Sequence, residues 1–229
     1  MNTQISKQVV LATGNQGKVA EMQSSLQELG FEVLPQSQFE IPEAIEDGVT
    51  FVENAIIKAR HACALTGLPA IADDSGLEVD ALLGAPGIYS SRYASEVPVE
   101  ERGNSANNAK LLKEMAGQEN RAARFQCVIV FMSHEADPTP IICQGTWDGL
   151  ITESLSGTNG FGYDPLFYIP ELKCTSAELA PEEKKSLSHR GQALAQLKAA
   201  LQLHPWEHIR AMKNSLLYHP DSPNHYIEP

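Results

Sequence analysis

The sequence predicts an α/β protein built on a mixed β-sheet flanked by helices. Three observations carry this. Short apolar runs, Val9-Val10-Leu11-Ala12 and Pro69-Ala70-Ile71-Ala72, alternate with helical segments, the pattern of strand-helix-strand units. Two further runs, residues 125–131 and 140–143, flank Asp137-Pro138 and read as an antiparallel hairpin. A chain of 229 residues, 42% hydrophobic and 20% charged, suffices for one sizeable domain with room for two lobes.

The elements follow in order. Val9-Val10-Leu11-Ala12 is continuous and apolar, the mark of a buried strand. It passes through Thr13-Gly14-Asn15 into a helix over residues 18–29, which Gly30 can end. Residues 31–34 form a second strand, followed by a loop with Pro35, Pro42, Glu46, Asp47 and Gly48. Thr50-Phe51-Val52-Glu53 is a capping box, opening a helix to about residue 65 that Gly67 and Pro69 stop. The strand over 69–72 ends in Asp73-Asp74-Ser75-Gly76, which is good turn chemistry, and residues 77–83 form another apolar stretch. Residues 104–115 are helical, the hairpin follows, and residues 157–164 form a glycine-rich loop. The last helix of the main unit spans 188–203, and residues 204–229 read as an added tail. Within the tail, Trp206, Ile209, Met212 and Leu216 make an apolar stripe at helical spacing.

Composition excludes several classes. Twenty-nine acidic against 17 basic residues leave a net charge of −12, a field that disfavours binding along a nucleic-acid backbone. A small anionic substrate is still compatible, since it needs only a few local cations, with or without a metal. The four cysteines, Cys63, Cys127, Cys143 and Cys174, form no Cys-x-x-Cys pair, which suits reduced thiols in a cytoplasmic protein. Residues 1–8 lack the apolar core of a signal peptide, and no apolar run reaches membrane-spanning length.

Five segments carry candidate chemistry. Thr13-Gly14-Asn15-Gln16-Gly17-Lys18 lies between a strand and a helix, where unpaired N–H groups and the helix dipole suit a phosphate. It is neither a Walker A loop nor a dinucleotide fingerprint, and it equally describes a plain helix start capped by Asn15. The helix opened by Thr50 carries Asn54, Lys58 and His61 on one line beside an apolar stripe, so Lys58 can point along the sheet toward Asp74. Asp73 and Asp74 are adjacent on a strand, so only one of them faces a given cleft. Gly160-Phe161-Gly162-Tyr163-Asp164-Pro165 sets an aromatic between two glycines, well placed to stack on a planar ring whose edge Asp164 or backbone groups could read. Lys184, Ser188, His189 and Arg190 form a cationic cluster in an acidic chain. His204-Pro205-Trp206-Glu207-His208 fits the bare metalloprotease pattern, but Pro205 belongs in a first helical turn and leaves His204 outside it.

In that order, Leu11-Ala12-Thr13-Gly14-Asn15-x-x-Lys18, Thr50-Phe51-x-Glu53-Asn54-Ala55, Ala72-Asp73-Asp74-Ser75-Gly76-Leu77, Gly160 to Pro165 and Ser188-His189-Arg190-Gly191 closely resemble the inosine/xanthosine triphosphate pyrophosphatase family. The resemblance spans about residues 7–203, with no departure at a motif position. It implies a long mixed sheet in two lobes with a central cleft, in a cytoplasmic homodimer. The implied activity is hydrolysis of non-canonical purine triphosphates (inosine, deoxyinosine and xanthosine) to the monophosphate and pyrophosphate, cleansing the nucleotide pool. The resemblance places Thr13, Gly14, Asn15, Gln16, Gly17 and Lys18 on the triphosphate, with Lys58 assisting. Asp74 would be general base and Mg²⁺ ligand, Glu46 the second metal carboxylate, and Ser75 a substrate contact. Phe161, Gly162, Tyr163 and Asp164 would form the base pocket, completed by Lys184, His189 and Arg190. Residues 1–203 are then the catalytic unit and 204–229 an extension. The alternative is a non-catalytic nucleotide sensor, against which stand two carboxylates where a mere triphosphate binder would avoid them.

Overall fold

The structure, a computed structural model, describes residues 7–203. Its centre is a seven-stranded sheet in the order β2-β1-β3-β4-β5-β6-β7. β1 (Lys7–Leu11) lies parallel to β2 (Phe31–Pro35) and to β3 (Ala70–Val79). The remaining neighbours are antiparallel: β3 with β4 (Ala122–Met132), β4 with β5 (Ile141–Ile151), then β6 (Phe167–Ile169) and β7 (Cys174–Thr175). This is the expected mixed sheet.

Strand alternation determines what covers each face. Val9 and Leu11 face α1 (Gln16–Gln27) and α5 (His189–Leu203), packing with Met22, Leu26, Leu194 and Leu197. Val10 and Ala12 face α2 (Phe51–Thr66), whose small residues Ala55, Ala59 and Ala62 let its backbone approach the sheet. A separate cluster at the other end joins Leu77, Phe125, Trp147 and Phe167 to Leu111 of α3 (Asn104–Glu114). Each fully buried leucine here contributes about 1.5–3 kcal/mol. A cleft of about 410 Å³ opens between these two regions.

Several boundaries differ from the sequence expectation. Asp73-Asp74-Ser75-Gly76 is not a turn: β3 continues through it to Val79. Ten consecutive residues pair with β4, from Ala70↔Met132 to Val79↔Ala123, and this ladder overrides local turn preference. Gly76 serves close approach instead, because a Cβ there would lie 2.5 Å from the Gly87 carbonyl oxygen. β5 likewise continues past Cys143 to Ile151. β6, β7 and α4 (Pro181–Leu187) are additional, and each is too short for a periodic signal. The tail stripe at Trp206, Ile209, Met212 and Leu216, and the His204–His208 pattern, lie outside the described residues.

All four cysteines are free, and burial pushes the Cys63 and Cys127 thiols up to about 12, so neither is a reactive thiolate. Among the described residues no helix is long and apolar enough to cross a membrane.

Candidate active site

The two adjacent aspartates of β3 divide between the faces of the sheet as alternation requires. Asp74 shares the α2 face with Ala70 and Ala72, and there Lys58 Nζ reaches its Oδ1 at 2.9 Å. The same ammonium lies 3.1 Å from Glu46 Oε2, so one cation gathers both expected metal carboxylates. Burial raises the Asp74 carboxyl above its usual range, with Lys58 opposing. Burial also acts to lower the Lys58 ammonium, but Asp74, Asp73 and Glu46 outweigh it and hold the group charged. Asp74 Oδ2 is buried without a hydrogen-bond partner among the described residues.

Asp73 points to the opposite face and is fully buried. Lys18 Nζ contacts its Oδ2 at 2.8 Å, Arg190 Nε lies 3.5 Å from the same oxygen, and Ser75 Oγ donates to it at 3.4 Å. Burial alone would raise this carboxyl, yet Lys18, Arg190 and Lys58 hold it well below the usual range. Arg190 Nη2 also donates to Ser75 Oγ at 3.1 Å. Asp73 therefore lies behind the cleft rather than in it, an anchor that the sequence analysis did not foresee.

The polar line of α2 has a common target. Asn54 Oδ1 accepts from Gly48 N at 3.0 Å, Lys58 holds Glu46, and His61 Nε2 donates to the Pro42 carbonyl at 2.8 Å. Three side chains spaced along one helix face thus clasp one loop and aim Glu46 at Asp74. Thr50 caps α2 through Glu53 N, while Glu53 accepts from Val49 N and the Thr50 hydroxyl. The loop is pinned at both ends, and Glu53 acts as the cap that its spacing predicts.

At the start of α1, Asn15 Oδ1 accepts from Gly17 N at 2.9 Å and Lys18 N at 3.3 Å. Asn15 is therefore a genuine helix cap, and Gly17 spends its amide on that cap and does not line the cleft. The Gln16 side chain lies outside the description. Every other predicted site residue lines the one cleft, which brings the Thr13–Lys18 turn, the Glu46–Lys58–Asp74 group and the Phe161 loop together.

At the far end Phe161 is 43% exposed, with the Lys184 ammonium 5.5 Å and the Arg190 guanidinium 5.8 Å from its ring centre. Two neighbours expected to touch a ligand are turned inward. Tyr163 is buried and its hydroxyl donates to the Ser90 carbonyl at 2.8 Å. Asp164 is buried and accepts from Phe161 N, Ser176 Oγ and Lys184 Nζ, so it shapes the loop rather than offering a free carboxylate. Their chain position beside Phe161 could not reveal this, because Ser90, Ser176 and Lys184 lie 73, 12 and 20 residues from them. His189 stacks on Phe125 at 4.8 Å and 17°. Burial, then Arg190 and Lys184, lowers its pKa well below the ordinary value, so the ring is neutral. Its Nδ1 is buried with no hydrogen-bond partner among the described residues. Gly145 of β5 makes this docking possible, since a Cβ there would sit 2.0 Å from the His189 carbonyl oxygen.

The chain is similar to known proteins over the whole of this architecture. It is 60% identical over 197 residues to a dITP/XTP pyrophosphatase of Vibrio parahaemolyticus, covering 85% of this chain and 96% of that one. A Shigella flexneri protein of the same description is 53% identical over 197 residues, covering 85% and 98%. Among solved structures, a HAM1 protein from Coxiella burnetii superposes with a TM-score of 0.81 at 50% identity, covering 86% of this chain and 99% of that one. The Staphylococcus aureus Ham1 protein does so with a TM-score of 0.77 at 40% identity, covering 86% and 98%. The Ham1 family model matches residues 9–200, and the chain is a member of the Ham1 family.

Proposed function

We propose that this chain hydrolyses non-canonical purine nucleoside triphosphates, of the deoxyinosine and xanthosine type, to the monophosphate and pyrophosphate. The relatives described as dITP/XTP pyrophosphatases support the substrate class. The observation that carries the mechanism is the Glu46–Lys58–Asp74 group at the wall of a cation-lined cleft.

In this reading Lys18 and the turn over 13–15 take the triphosphate oxygens, with Lys58 spreading the negative charge that develops there. Asp74 accepts the proton of the attacking water, and attack at the α-phosphorus releases pyrophosphate. Its raised pKa makes it a better base, and Lys58 keeps it ionised and aimed. Glu46 and Asp74 fit a magnesium ion: both offer oxygen only, and Asp74 Oδ2 is an unsatisfied buried acceptor. Among the described residues no cluster of three or more His, Cys, Asp or Glu forms a closed cage, and magnesium bound by two carboxylates and phosphate oxygens requires none. When bound, such an ion polarises phosphoryl oxygens and bound water. Phe161 supplies the stacking shelf for the purine, Lys184 and Arg190 flank it, and the neutral His189 offers an unmet hydrogen bond at its Nδ1.

The reading extends to a cytoplasmic homodimer in which residues 1–203 are the catalytic unit and 204–229 an extension. A panel of nucleoside triphosphates with magnesium tests the core of it. Inosine and xanthosine forms should yield monophosphate and pyrophosphate, with about 10⁴-fold preference over adenosine triphosphate. Orthophosphate as the first product, or equal turnover of adenosine and inosine triphosphates, would overturn it. Tight binding without turnover would make the protein a sensor.

A further inference from the structure

Asp73 touches no cleft surface, yet one of its oxygens serves both ends of the proposed ligand site. Lys18 comes from the phosphate turn and Arg190 from the base end, and both converge on Asp73 Oδ2, at 2.8 and 3.5 Å. The second oxygen, Oδ1, is buried with no hydrogen-bond partner among the described residues. One carboxylate oxygen thus meets the lysine at 2.8 Å and the guanidinium at 3.5 Å. A guanidinium pairs best with a carboxylate through two parallel hydrogen bonds, and Asp73 has its second oxygen still available for one.

We infer that Asp73 is a positioning residue that couples the two ends of the site. An anionic phosphate chain draws Lys18 off Asp73. The carboxylate, still enclosed and now short of one cation, takes Arg190 onto both of its oxygens. Arg190 already donates to Ser75 Oγ and flanks Phe161, so this contact fixes the purine shelf. The base end becomes ordered only when the phosphate end is filled. The full triphosphate is held firmly, whereas the monophosphate left after pyrophosphate departs is held weakly as Lys18 returns to Asp73.

The inference rests on reading Lys18 as a phosphate ligand and Arg190 as a base ligand, and calorimetry on the full chain without divalent cation separates the two claims. Inorganic tripolyphosphate and inosine are titrated alone and then together. The site reading requires that tripolyphosphate binds and that Lys18→Gln weakens it by about tenfold or more. Coupling requires that saturating tripolyphosphate tightens inosine binding by about fivefold or more in the wild type. In Asp73→Asn that ratio should fall below about twofold. Lys18→Gln, which removes the competing cation at a partly exposed position, should bind inosine more tightly than wild type with no phosphate present. A merely structural Asp73–Lys18 pair would weaken both ligands instead. Independent binding of the two ligands in the wild type, or looser inosine binding by Lys18→Gln, would overturn the coupling while leaving the site reading intact.

Discussion

Lys58 and Asp74 are joined by a 2.9 Å contact between Nζ and Oδ1 that links the polar line of α2 to the middle of β3. The contact joins the helix to the strand that it packs against, and the same ammonium reaches Glu46 in the loop that α2 clasps. Charge balance follows from this geometry. Burial raises the Asp74 carboxyl, the Lys58 ammonium opposes that rise, and the surrounding carboxylates in turn hold Lys58 charged.

Asp74→Asn keeps the size of the side chain and still accepts from Lys58, but it removes basicity and a charged metal ligand. Turnover of inosine triphosphate should fall about 10²-fold or more with folding intact. Steady-state kinetics with a thermal melt check this. Turnover within a few-fold of wild type in the folded variant would move the base role elsewhere.

Gly145→Ala places a Cβ 2.0 Å from the His189 carbonyl oxygen and 2.9 Å from Ala193 N, both backbone atoms that cannot rotate away. The start of α5 must shift, at a cost of about 1–3 kcal/mol. The melting temperature should drop by about 2–10 °C. Because α5 carries His189 and Arg190, preference for inosine over adenosine triphosphate should narrow more than kcat declines. An unchanged melting temperature would show that β5 and α5 part more readily than this contact implies.

His189 contributes a pH dependence of stability whose direction is determined. Its pKa lies well below the ordinary 6.5 in the folded chain, so below that pH the unfolded chain binds a proton that the folded chain refuses. The stability is complete above 6.5 and is lost as pH falls beneath it. His189→Gln removes this linkage. Between about pH 7 and pH 5 the wild type should lose more melting temperature than the variant. Parallel loss in both would show that the imidazole is charged in the folded protein.

Much of the site was legible in the sequence because its parts are local. The Thr50 cap, the Asn15 cap and the Asn54–Lys58–His61 line each follow from residues within about two helical turns of one another. The glycines around Phe161 likewise announced an exposed aromatic. Three things were not legible. Asp73-Asp74-Ser75-Gly76 has turn composition but is strand, because β4 offers ten partners that no local window contains. Tyr163 and Asp164 sit beside the exposed Phe161 but turn inward, to Ser90, Ser176 and Lys184. Gly145 reads as an ordinary strand glycine until α5 is seen pressed against it.

The sequence by itself determined the alternation of strands and helices, the excess of acid over base, the helix starts and the set of side chains able to do phosphate chemistry. Alternation along β3 even decided that Asp73 and Asp74 would serve opposite faces. The line along α2 already aimed Lys58 toward Asp74, but only the tertiary structure decided that Asp73 receives Lys18 with Arg190. The physical reason is distance along the chain. Arg190 and Ser75 stand 115 residues apart, and only the sheet register and the seating of α5 bring them within hydrogen-bonding reach.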